Sequence, residues 1–161
     1  MISFERVSKR YANGREALNN VSFSIHTGEM VFLTGRSGAG KSTVLKLIAL
    51  LERPTRGAVA VAGRNTQTLK SRHVAAFRRH IGVVFQDHKL LADEPTGNLD
   101  PDLSLEVMRL FRRFQDVGVT VVIASHDHHL VREFAQRVIV LENGHVQGDE
   151  ADPLPSVQAY R

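Results

Sequence analysis

Residues 35–42 read Gly-Arg-Ser-Gly-Ala-Gly-Lys-Ser, and this spacing, G-x-x-x-x-G-K-[ST], limits the fold more than any other stretch of the chain. A loop of this kind wraps backbone N–H groups around a phosphate. It needs a helix N-terminus behind it, to aim a positive dipole end at the charge, and a buried strand ahead of it. Both flanks are present. Met30-Val31-Phe32-Leu33 is an unbroken apolar run, as a strand buried on both faces requires. After Lys41, the residues Val44, Leu45, Ile48 and Leu51 recur at helical spacing, and Arg53-Pro54 ends the helix. The chain is therefore expected to hold a nucleotide's phosphates. Lys41 would reach the β- and γ-phosphates, and the Ser42 hydroxyl would ligate Mg²⁺.

The rest of the chain alternates strand and helix signals. Val21, Phe23 and Ile25 alternate with polar residues, residues 58–62 form a further strand, and Gly63-Arg64-Asn65 turns the chain. A basic helix is predicted over 69–80 and a buried strand over 81–85. Asp100-Pro101 opens another helix, with Asp at the N-cap and Pro in the first turn. On it, Leu103, Val107, Leu110, Phe111 and Phe114 mark the face expected in the core. A β-branched strand over 119–124, a helix over 130–136 and a hairpin folded at Asn143-Gly144 complete the pattern. This order predicts an α/β domain with a largely parallel sheet over 1–148. A flexible tail, 149–161, follows with Pro153 and Pro155.

Other positions belong to the same chemistry. Gln86 ends the 81–85 strand and His126 follows the 119–124 strand, and ligands bind at such strand ends in open α/β sheets. Leu90-Leu91-Ala92 leads into Asp93-Glu94. An Asp at the end of a buried strand beside a phosphate loop can hold Mg²⁺, and the Glu after it can polarise an attacking water. Taken alone, an Asp-Glu pair is usually a solvated turn and a strand-end histidine a surface residue; the phosphate loop upstream favours the functional reading. Tyr11, the one aromatic in Lys9-Arg10-Tyr11-Ala12-Asn13-Gly14, either stacks on an adenine ring or serves only in packing.

The 161 residues include no cysteine, which excludes disulfides, thiolate catalysis and Cys-based zinc sites. His126, His128 and His129 have no second cluster at metal-ligand spacing with a carboxylate. Lys and Arg number 21 against 17 Asp and Glu, a net charge of +4 that leaves anionic partners open. The basic stretch 72–80 has only Phe77 for stacking, so it reads as a solvated helix face rather than a nucleic-acid patch. The longest apolar runs fall far short of the ~20 residues that span a bilayer, and no signal peptide is visible. A soluble intracellular domain is expected.

The order Tyr11, phosphate loop, Gln86, Asp93-Glu94, Asn98-Leu99-Asp100, His126 resembles that of the ATP-binding subunits of ATP-binding-cassette (ABC) systems. These positions match the family's aromatic loop, Walker A, Q-loop, Walker B, D-loop and H-loop. Phe85-Gln86-Asp87-His88 is most similar to the cell-division branch of bacteria, whereas 91–100 is also shared with lipoprotein-release and macrolide-export ATPases. The resemblance implies a P-loop NTPase fold, a RecA-like ABC ATPase core with a mostly parallel sheet and an N-terminal antiparallel β part. It implies Glu94 and His126 as catalytic residues. Tyr11, Gly35, Arg36, Ser37, Gly38, Ala39, Gly40, Lys41, Ser42, Thr43 and Gln86 would contact ATP, and Ser42, Gln86 and Asp93 would ligate Mg²⁺. It further implies a homodimer, an FtsX-like membrane partner and a peripheral place on the cytoplasmic face of the inner membrane.

One departure is large. Only six residues separate Gln86 from Asp93, where the family places a helical subdomain carrying the signature Leu-Ser-Gly-Gly, and no Gly-Gly pair occurs in the chain. Parallel neighbouring strands need a crossover of about a dozen residues or more, so the link is also too short for the family's topology. The helical subdomain is therefore expected to be missing, with ATP bound weakly and hydrolysed poorly. The competing expectations are a non-hydrolysing nucleotide-binding or scaffold module and the ATPase subunit of a lipoprotein-release or macrolide-export type ABC transporter.

Overall fold

The computed structural model describes residues 1–79, 81 and 101–150, the side chains of 101 and 102 excepted. Strands β1 (Ile2–Arg10), β2 (Glu16–Ile25), β4 (Arg56–Val61) and β5 (Arg64–Asn65) form an antiparallel sheet in the order β2-β1-β4-β5. Strands β3 (Met30–Thr34), β6 (Val121–Ala124), β7 (Arg137–Glu142) and β8 (His145–Glu150) form the second sheet, ordered β6-β3-β7-β8. In it β3 runs parallel to both β6 and β7, and β8 folds back antiparallel on β7. Helices α1 (Lys41–Ile48), α2 (Ser71–Arg78), α3 (Pro101–Asp116) and α4 (His128–Phe134) complete the described elements.

The register between β1 and β2 shifts three times, and two of the shifts are bulges at left-handed residues. Between Phe4 and Val7, β1 advances three residues while β2 advances two, from Phe23 to Val21. The extra residue is Arg6, held at φ 48, and its N–H is taken up by the Ser22 hydroxyl at 2.9 Å. The bulge changes which residues face inward, so Phe4 and Val7 are both buried despite an odd separation. It also drives the Arg6 carbonyl towards β4: a Cβ on Gly57 would stand 2.2 Å from that oxygen, and Gly57 sits at φ +79. A second bulge at Asn20 (φ 51), whose N–H donates to the Ser8 hydroxyl at 3.0 Å, does the same for Leu18 and Val21 on β2.

The central strand β3 is buried on both faces, as its unbroken apolar run requires. Val31 and Leu33 join Ile139, Leu141 and Ala124 in a core shared with the antiparallel sheet and α1. Met30 and Phe32 point the other way, against Val138, Met108 of α3, and Leu130, Val131 and Phe134 of α4. The β7–β8 hairpin turns at Asn143 (φ 49) and Gly144 (φ 80), the two left-handed positions that the sequence requires there.

Several expectations shift. Leu103, Leu110 and Phe114 are not core: each is close to half exposed, while α3 buries Ser104 and Met108. The helix packs through a stripe about a quarter turn away from the one marked by its largest apolar residues. Helix α1 stops at Ile48 because the backbone turns left-handed at Leu50 (φ 55), which leaves Leu51 exposed, and Arg78 of α2 donates to the Ala49 and Leu50 carbonyls there. The turn expected at 63–65 falls at Ala62 and Gly63, and Arg64–Asn65 already pair with β4. Strand β8 continues to Glu150, two residues into the expected tail, with Asp149 tied to Arg137 by two hydrogen bonds of 2.7 Å. That pairing is the main cause that raises the Arg137 pKa above its ordinary value. Ile81 is half-buried and unpaired with any strand; the rest of the strand expected over 81–85 lies outside the described residues.

Candidate functional site

Strand β3 delivers the chain into the glycine-rich loop at its C-terminal end, and α1 begins at Lys41. Gly35, Gly38 and Gly40 take φ values of 136, 82 and 113, a backbone path closed to other residues without strain. Two of the three also have no room for a side chain. A Cβ on Gly35 would stand 2.1 Å from the Leu141 carbonyl oxygen, and one on Gly40 would stand 2.8 Å from that of Ala17. The loop is thus clamped between β7 and β2. A relay of backbone bonds tightens the clamp: Asn19 N–H donates to the Gly144 carbonyl (2.8 Å), and Gly144 N–H donates to that of Ala39 (3.1 Å).

Above the loop lies a cavity of about 870 Å³. It brings together Tyr11, Gly35, Arg36, Ser37, Gly38, Gly40, Lys41, Ser42, Thr43 and His126 of the expected site residues, with Arg15 and Lys46 in addition. Ala39 is not among the lining residues; its side chain is buried in the core. Lys41 is almost fully buried, and its ammonium donates to the carbonyls of Gly35 (2.6 Å) and Arg36 (3.2 Å). Arg15, Arg36, Lys41 and Lys46 give the wall a concentrated positive charge, and no carboxylate stands among its described lining residues. An anion of several charges fits this site better than any neutral ligand. A triphosphate fits the cradle of left-handed glycines at a helix N-terminus. For Mg²⁺ the described residues offer the Ser42 hydroxyl and no cluster of three or more His, Asp or Glu. Gln86, Asp93 and Glu94 lie outside the described residues.

Tyr11 faces the cavity rather than the core. Its hydroxyl lies 3.3 Å from Thr43 Oγ1, and the Lys9 ammonium sits over its ring, 5.0 Å from the centroid. Lys9 is itself buried and held by Glu52 at 2.6 Å and by the Arg53 carbonyl at 2.9 Å. His126 is exposed at the cavity wall, between two fixed points. Ser125 N–H donates to the Leu33 carbonyl, which extends the β6–β3 pairing by one bond. Asp127 caps α4 by accepting from the N–H groups of His129 (2.8 Å) and Leu130 (3.3 Å).

Arg15 and Lys46 are not visible in the loop pattern itself. Lys46 lies four residues beyond Ser42 on α1, so helical spacing alone puts it on the same side as the loop. Arg15 has a weaker signal, its place one tight turn after the cavity-facing aromatic.

Loop, cavity and parallel strand ends define a phosphate-loop nucleotide-binding domain, and comparison with known proteins gives its family. Residues 18–147 match the ABC transporter family, and the chain belongs to it. It is 37% identical over 217 aligned positions to the cell division ATP-binding protein FtsE of Escherichia coli K12, covering 92% of this chain and 98% of the relative. It is 33% identical to FtsE of Bacillus subtilis over 94% of this chain and 96% of that protein. The dimeric structure of a bacterial ABC transporter cassette superposes with a TM-score of 0.84 at 26% identity, covering 94% and 98% of the two chains. A post-hydrolysis dimer bound to ADP and Pi superposes at 0.79 and 24% identity. The P-loop NTPase fold expected from the sequence is thus the fold of the structural neighbours. The 217 aligned positions occupy 92% of 161 residues, about 148, so about 69 positions face no residue of this chain. Among the described residues no helix is long and apolar enough to cross a membrane.

Proposed function

We propose that this chain is the ATP-binding subunit of an ABC-type complex in bacterial cell division. An FtsX-like membrane partner would hold it at the cytoplasmic face of the inner membrane. The observation that carries the ATP-binding reading is the cationic cavity over the glycine loop, with Lys41, Ser42 and Tyr11 on one wall system. The cell-division role rests on likeness to proteins of that name.

In this reading the loop N–H groups and Lys41 bind the phosphates, and Tyr11 stacks on the base. Mg²⁺, held by Ser42, Gln86 and Asp93, would supply charge neutralisation on the phosphate oxygens. Glu94 positions and polarises the attacking water, and His126, at the end of β6, reads the terminal phosphate. The sequence holds no signature segment to cap a partner's γ-phosphate. Loss of transition-state charge stabilisation of the arginine-finger kind costs ~10³–10⁵ in rate. We therefore propose weak ATP binding and hydrolysis at or near background.

Calorimetry with Mg²⁺-ATP tests the binding half: the parent chain binds, and Lys41→Ala binds far more weakly. Phosphate release by the parent chain, its Glu94→Gln variant and a full-length relative tests the catalytic half. Background rates in both chains, with turnover restored when a helical segment is inserted after Leu90, support the proposal. Robust turnover that disappears in Glu94→Gln overturns it.

A further inference from the structure

We propose that Arg15 grips the nucleotide's polyphosphate, so that the β1–β2 turn is a two-point clamp holding base and phosphates at once. The inference rests on the ATP-binding reading above and adds a contact from outside the glycine loop. Its basis is the construction of the turn. Tyr11 N–H donates to the Arg15 carbonyl (2.9 Å), Gly14 N–H to the Tyr11 carbonyl (3.0 Å), and Arg15 N–H to Asn13 Oδ1 (3.1 Å). Three short bonds and the left-handed Gly14 (φ 84) fix the turn, so residues 11 and 15 leave it at a set separation. From there the Tyr11 hydroxyl reaches Thr43 on α1, while Arg15 crosses to the glycine loop, where Nη2 donates to the Gly38 carbonyl at 3.3 Å.

That last bond is long and engages one of the five guanidinium donors. An exposed carbonyl in water gains little from such a contact, so loop stabilisation alone is a poor account of the residue. A polyphosphate is a better one. Arg15 lines the same cavity as Lys41, yet Lys41 touches the carbonyls of Gly35 and Arg36 whereas Arg15 touches that of Gly38. Lys41 therefore holds the start of the loop and Arg15 its middle. The planar fork of a guanidinium matches a phosphate bidentately, which a lysine at this place would not.

The test is calorimetry of the full chain and Arg15→Ala with ATP, ADP and AMP, all with Mg²⁺, with circular dichroism as the fold control. Arg15→Ala is expected to weaken ATP and ADP binding about tenfold, with AMP changed less than about twofold. Arg15→Lys should recover only part of the loss. Unchanged ATP affinity in a folded Arg15→Ala overturns the inference alone, and so does an equal loss for AMP, which would reduce Arg15 to shaping the Tyr11 side of the turn. A parent chain that binds no ATP overturns the proposed function and this inference with it.

Discussion

The two sheets solve opposite problems. Strands β6, β3 and β7 pair in unbroken register. The C-terminal ends of β3 and β6 therefore stand level, with Leu33 opposite Ala124, and the glycine loop and His126 emerge side by side. The antiparallel sheet breaks register repeatedly, through left-handed residues at Arg6 and Asn20. Bulges bend and twist a ribbon, and this ribbon ends in the turn that sets Tyr11 against α1 and Arg15 against the loop. Regularity places the group that every nucleotide shares, the phosphate. Irregularity brings in a second element from another part of the chain.

Matched substitutions separate the two roles. Gly35→Ala and Gly57→Ala each put a Cβ about 2 Å from a carbonyl oxygen at positive φ, one in each sheet. Each should cost about 3 kcal/mol or more in denaturant unfolding. Only Gly35→Ala should also abolish ATP binding in the molecules that remain folded. If Gly57→Ala abolishes it too, the division between the sheets is wrong. Lys41→Ala comes next: ATP affinity should fall about 10- to 100-fold in calorimetry. Asp127→Ala removes two accepted bonds at the start of α4 and should cost about 1 kcal/mol of stability, read from the urea midpoint. ATP affinity should hardly change, and a fall as large as that of Lys41→Ala would make the cap part of the site. The smallest effect belongs to Arg137→Gln, which loses partly buried ion pairs to Asp149 and Glu29. It should lower the thermal midpoint slightly and leave nucleotide binding alone.

The phosphate loop was legible because its chemistry is local: strand, glycines, lysine and helix are consecutive, and each has a physical signature. The Asn143-Gly144 hairpin was legible for the same reason. The bulges were not, since Arg6 and Asn20 are poor advertisements for a left-handed backbone, and only the odd spacing of Leu18 and Val21 hints at them. The α3 face was misjudged because Leu103, Leu110 and Phe114 outweigh Met108 in any pattern, yet contact with β6 and α4 selects the stripe of Ser104 and Met108. Arg15 escaped notice because its partner, Gly38, lies far along the chain.

The relay from Asn19 through Gly144 to Ala39 has a kinetic consequence. Its first and last links join residues more than a hundred positions apart, and closing contacts of that separation is slow compared with forming a helix turn. The glycine loop is encoded early, but its clamp cannot close until the β7–β8 hairpin has been synthesised and docked. On the ribosome, the nucleotide site would therefore be among the last parts of the domain to mature, and a chain stopped before Gly144 would carry the complete loop sequence without a rigid loop.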